Sequence, residues 1–128
     1  VLDKELNATT DWILSRMGRI KIVDARCKKE FEGATLYGEA RGGHLPGAEL
    51  IAFKSMFAPD NTIKSTRELR QMFEAAGLKP ENEIVTYCTA GIRSAYMALV
   101  LRMAGYAKTR NYDASFQEWA GMKQLPIE

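Results

Sequence analysis

One short segment of this chain pairs a nucleophile with an anion-binding frame: Cys88-Thr89-Ala90-Gly91-Ile92-Arg93-Ser94. It follows a β-branched run at 83–87 and leads into an apolar helical pattern at 93–104, with Gly105 placed to stop it. A cysteine between a strand's end and a helix's start meets unpaired backbone N–H groups and the positive end of a helix dipole. Both favour thiolate over thiol, and Arg93 adds a positive charge nearby. Gly91 can take backbone angles closed to other residues, so successive N–H groups can converge. The chemistry to expect is a thiolate on Cys88, at the floor of a cradle made by Thr89, Ala90, Gly91, Ile92 and Arg93. The same placement also fits an inert buried cysteine in a turn with a solvated arginine, since free cysteine is among the most buried residue types. Placement alone does not separate the two.

The elements that must position this segment are legible as an alternation. Runs at 20–23, 48–53, 83–87 and 108–112 read as strands, with Val1-Leu2 a marginal fifth. Residues 10–17 put Trp12, Ile13 and Met17 on one helical face. Ser65-Thr66-Arg67-Glu68 is a capping box that opens a helix carrying Leu69, Met72, Phe73 and Ala76, with Gly77 at its end. Strands alternating with helices predict an α/β fold, a mainly parallel sheet with helices on both faces. Such sheets hold their ligands outside the carboxyl ends of the strands, where Cys88 falls.

Composition narrows the function classes. The 128 residues make one domain's worth of chain, read as a single domain over 1–128, and need no metal or disulfide staple. With 46% hydrophobic and 27% charged residues the chain is neither disordered nor a disulfide scaffold. Its longest apolar runs, 95–101 and 48–53, fall far short of the ~20 residues that cross a bilayer, so no membrane role is expected. Eighteen basic against sixteen acidic residues leave +2, with Lys28-Lys29 the longest basic run, so no nucleic-acid partner is expected either. Cys27 and Cys88 have no second pair to build a zinc site, and no metal or cofactor is expected. No signal peptide is visible, which makes a cytoplasmic location the default expectation. The chain begins at Val1, as a processed product or a domain excised from a longer chain would.

Several blocks stand in a characteristic order: Asp24-Ala25-Arg26, Glu30-Phe31-Glu32-Gly33, Arg41-Gly42-Gly43-His44-Leu45-Pro46-Gly47-Ala48, Tyr87-Cys88 with Gly91 and Arg93-Ser94, and Asn111-Tyr112-Asp113 with Glu118-Trp119. Together they resemble the rhodanese (thiosulfate sulfurtransferase) family over nearly the whole chain, most like the active, C-terminal half of tandem-domain bacterial members. The resemblance implies a five-stranded parallel sheet with helices on both sides. It also implies a catalytic Cys88 that carries sulfur as a persulfide, a small-molecule sulfur donor such as thiosulfate, a thiol or cyanide acceptor, and further rhodanese domains in a full-length chain.

The other blocks read mainly as structure. Asp24 and Arg26 could support the loop, but a local pairing with one another and with neighbouring backbone is the stronger expectation. His44 belongs to a turn that serves shape rather than proton transfer. Tyr112, Phe116 and Trp119 read as core, and Cys27 as an ordinary cysteine or else a resolving thiol. The chain departs from the family at Thr89 and Ala90, where many thiosulfate-using members carry basic residues, and at Glu30-Phe31, where some carry arginine. Arg93 is then the loop's one fixed cation. Leu50, Ala114 and Phe116 are further departures that read as local repacking. Two alternatives stand beside a sulfurtransferase: a non-catalytic or sulfur-relay module of a longer protein, and a Cys-loop-Arg phosphatase or arsenate reductase. The latter carry five residues between Cys and Arg, whereas Thr89–Ile92 are four.

Overall fold

The two central strands of the parallel ladder, Lys21–Asp24 and Ile84–Tyr87, carry β-branched residues buried on both sides. The computed structural model describes residues 6–128. Helix α1 (Thr10–Arg16) leads to β1 (Lys21–Asp24), a single-turn α2 (Lys28–Phe31), β2 (Ala48–Leu50) and a 3-10 turn (Phe53–Met56). Then come α3 (Thr66–Ala75), β3 (Ile84–Tyr87), α4 (Ile92–Met103), β4 (Thr109–Asn111) and α5 (Ser115–Gly121). The strand order is β2-β1-β3-β4, all parallel, with Ile22 opposite both Ala48 and Val85, and Ile84 opposite Thr109.

Alternate residues of each central strand feed two separate cores, as period-2 side-chain geometry requires. Val23 and Ile84 face a cluster with Leu69 and Phe73 of α3 and with Met97, Val100 and Leu101 of α4. Ile22, Val85 and Tyr87 face the other cluster, with Ile13 of α1 and with Phe116, Trp119 and Ala120 of α5. Helices therefore cover both faces. The expected capping box is present: Ser65 Oγ accepts from the Glu68 N–H at 3.2 Å, and the Glu68 carboxylate accepts from the Ser65 N–H at 3.4 Å.

The strand count differs from expectation. Four strands, not five, form among the described residues, and Val1-Leu2 lies outside them. Beside β4 the fifth position is held by one parallel bridge, Asn7 to Asn111. The Asn111 N–H meets the Leu6 carbonyl at 2.9 Å and the Ala8 N–H meets the Asn111 carbonyl at 2.8 Å. Beyond Asn7 toward the C-terminus pairing ends because Thr9 caps α1 at once, accepting from the Trp12 N–H at 3.1 Å. The run at 48–53 likewise ends as a strand at Leu50 and turns into the 3-10 turn.

Candidate active site

Cys88 sits where β3 hands over to α4, and the sequence there leaves little freedom. Gly91, the N-cap of α4, has φ +92°, and a Cβ on it would strike the Asp113 carbonyl. Only glycine fits both demands. The segment 111–117 buttresses the loop from behind. Ser115 Oγ accepts from the Cys88 N–H at 3.2 Å, and the Phe116 and Gln117 N–H groups reach the Cys88 and Thr89 carbonyls at 2.9 and 3.1 Å. Asn111 Nδ2 donates to the Gly91 carbonyl at 3.2 Å.

That frame aims donors at the sulfur itself. Cys88 Sγ accepts from the Gly91 N–H at 3.1 Å, and from the Ser94 N–H and hydroxyl at 3.4 Å each. Cys88 is 2% exposed, and burial pushes its thiol up. The Ser94 hydroxyl and the N–H groups of Ser94, Gly91 and Ala90 outweigh burial, so the thiol lies below its ordinary value. The sulfur opens onto a cavity of about 340 Å3 lined by Tyr37, Thr89, Ala90, Ile92, Arg93 and Gln117.

The structure thus brings Cys88, Thr89, Ala90, Gly91, Ile92 and Arg93 together, with changed roles. Ile92 is exposed at the rim. Arg93 acts on Cys88 through space while its guanidinium is bonded to other groups. Its Nη1 and Nη2 reach the Glu30 carboxylate at 3.2 and 3.4 Å, and Nη2 meets the Thr89 hydroxyl at 3.1 Å. Thiolate stabilisation here comes chiefly from N–H and O–H donors at contact distance.

Asp24 and Arg26 lie apart from this cradle, as a fully buried pair with Nη2 to Oδ2 at 2.7 Å. The Tyr87 hydroxyl donates to Asp24 at 2.8 Å and Arg26 Nη2 donates to the Gly43 carbonyl at 2.6 Å. Arg26 also stacks on Phe116, 4.1 Å from its centroid. The pair ties β1 to β3 and to the turn at Gly43. His44 stacks on Phe31 with centroids 3.7 Å apart, and its Nδ1 meets the Phe31 carbonyl at 2.9 Å. Tyr112, Phe116 and Trp119 are fully buried.

Ser94, Glu30, Tyr37 and Gln117 had no role at the site in the sequence alone. Ser94 stood in the quoted motif, and its place three residues past Gly91 puts it in the first turn of α4, facing back to Sγ. Glu30 carried one signal: an acid three residues after Cys27, the N-cap of α2, is placed to reach back to that cap.

Known proteins resemble the chain in sequence and in structure. A family model described as the rhodanese-like domain matches residues 9–122. The chain is 33% identical to a sulfur carrier protein of Thermus thermophilus, over 98% of this chain and 48% of that protein. It is 34% identical to a thiosulfate sulfurtransferase of Corynebacterium glutamicum, over 90% of this chain and 40% of that protein. The chain therefore spans about half the length, or less, of these curated relatives. Among solved structures it matches the anaerobic ergothioneine biosynthesis enzyme of Chlorobium limicola in complex with trimethyl histidine. The TM-score is 0.85 at 25% identity, over 97% of this chain and 28% of that one. A matched variant of EanB (TM-score 0.83, 25% identity, 95% and 27% covered) was solved with a cysteine persulfide and ergothioneine.

Proposed function

The chain belongs to the rhodanese-like domain family, and on that premise we propose that it is a sulfurtransferase that moves a sulfane sulfur through a persulfide on Cys88. The Cys88 thiolate attacks the outer sulfur of a donor. With thiosulfate, the new S–S bond forms as the donor's own S–S bond breaks, and sulfite leaves with the electron pair. A thiophilic acceptor, a thiol or cyanide, then takes the outer sulfur and returns the thiolate. No cofactor or metal enters this scheme.

One observation carries the reading: the Gly91 and Ser94 donors meet Cys88 Sγ at 3.1–3.4 Å, at the floor of an open cavity. Donors fixed before reaction stabilise sulfur-borne negative charge without reorganising. They serve the thiolate before transfer and again when the acceptor restores it. Thr89, Ala90, Ile92 and Arg93 line the space into which a persulfide's outer sulfur extends. The names of the Corynebacterium and Thermus relatives, a thiosulfate sulfurtransferase and a sulfur carrier protein, support the same chemistry.

The test is intact-protein mass after incubation with thiosulfate or mercaptopyruvate, and again after cyanide. One added sulfur atom that cyanide removes is the expected result. No added sulfur with any donor overturns the proposal.

A further inference from the structure

Glu30 lies against the cation of the Cys88 cavity. Its carboxylate is 1% exposed and accepts from the Thr89 hydroxyl at 2.9 Å, from both Arg93 terminal nitrogens, and from the N–H and thiol of Cys27 at 3.3 Å each. So many donors keep it ionised against its burial. Among the described residues that line the Cys88 cavity, Arg93 is the only cation. A buried carboxylate held against that guanidinium leaves the pair without net charge toward anything arriving from outside. A dianion would approach the Cys88 thiolate with no net positive charge to offset their repulsion. A donor whose sulfur rides on a carbon skeleton with at most one charge meets less repulsion, and Tyr37 and Ile92, 60% and 81% exposed at the rim, offer that skeleton apolar contact.

We propose that Glu30 selects the sulfur donor: by neutralising Arg93 it favours sulfane sulfur carried on an organic thiol, an organic persulfide R–S–SH, over a small dianion such as thiosulfate. This rests on the persulfide reading of Cys88 above. In the step, the Cys88 thiolate bonds to the outer sulfur and the donor's S–S bond breaks. The persulfide's proton leaves with the departing thiol R–SH, and the negative charge stays on the new Cys88 persulfide. No oxidant or reductant is needed.

The experiment follows, by intact mass, the rate at which Cys88 gains one sulfur from thiosulfate and from 2-hydroxyethyl hydropersulfide, at low and high salt. The wild type is expected to favour the organic donor by about tenfold or more, one partly screened charge interaction. Glu30→Gln should move the ratio of the two rates toward thiosulfate by about tenfold, and added salt should shrink that shift. Tyr37→Lys, at an exposed position whose ring lies 5.8 Å from the Arg93 guanidinium, adds a cation at the rim and should move the ratio the same way. A purely structural Glu30 would change both rates by one factor and leave the ratio alone. A wild type that takes thiosulfate at least as fast as the organic donor, or a ratio unchanged in both variants, overturns the donor assignment while the sulfurtransferase reading stands. If neither donor loads Cys88, the sulfurtransferase reading fails and this inference with it.

Discussion

The two cysteines occupy formally similar places and are treated in opposite ways. Cys27 is the N-cap of α2, and Cys88 lies three residues before the N-cap of α4. The thiol of Cys27 donates to the Glu30 carboxylate, whereas the sulfur of Cys88 accepts from two N–H groups and a hydroxyl. Hydrogen bonds from N–H and O–H groups to a sulfur favour its thiolate, which is the arrangement at Cys88. A helix start alone is therefore not enough to aim donors at a sulfur. What separates the two is a loop with room for amides to turn inward, which Gly91 provides and the direct step from Cys27 into α2 does not.

The sharpest way to break this contrast is to remove each sulfur. Cys88→Ser should cut thiocyanate formation by about a thousandfold or more, and Cys27→Ser should keep most of it. Equal losses would mean a two-cysteine relay. Gly91→Ala comes next. It forces a side chain into a left-handed backbone angle and against the Asp113 carbonyl, so a cost of at least ~1–3 kcal/mol is expected, read as a fall of several degrees in Tm, with much slower alkylation of Cys88.

Ser94→Ala removes one donor to the sulfur and leaves the backbone in place. The midpoint of the Cys88 alkylation rate against pH should rise toward that of an ordinary thiol, with a several-fold lower rate at neutral pH. An unmoved midpoint would assign the stabilisation to the amides alone. Folding stability should show the same charge. Because the folded state lowers the Cys88 value, it binds fewer protons than the unfolded chain between that value and the ordinary one near 9.0. Wild-type stability relative to Cys88→Ser should rise with pH through this window, be complete above the ordinary value and be lost as pH falls through the lowered one. Urea midpoints across pH would test it, and a flat difference would contradict a stabilised thiolate. The smallest effect belongs to Cys27→Ser, within about 0.5 kcal/mol of wild-type stability, since a hydroxyl can also donate to Glu30.

What could be read from sequence was local. The strand, loop and helix around Cys88, the Ser65–Glu68 cap and the alternating strands each depend on residues a few positions apart. The site's charge balance did not have that form. Arg93 reads as a free cation until the fold brings Glu30 to it from 63 residues away. Nor did α5 announce itself: it is seven residues long, has no side-chain cap, and its first residue, Ser115, has φ 55°. Tertiary bonds hold that entry, with Ser115 Oγ between the Cys88 N–H and the Tyr112 carbonyl. Among the described residues the pairing beside β4 is limited for the opposite reason, a local one: the cap at Thr9 turns the chain into α1 two residues after the Asn7 bridge.

The buttress behind the cysteine loop also orders events in time. Asn111, Asp113, Ser115, Phe116 and Gln117 are translated after Cys88, α4 and all but the last residue of β4. Until they emerge, a nascent chain carries its thiol without the frame that aims the amides at it. At about 5–20 residues per second the interval lasts a few seconds at most. The donors around the Cys88 sulfur therefore gain their support from behind only once the end of this segment is made.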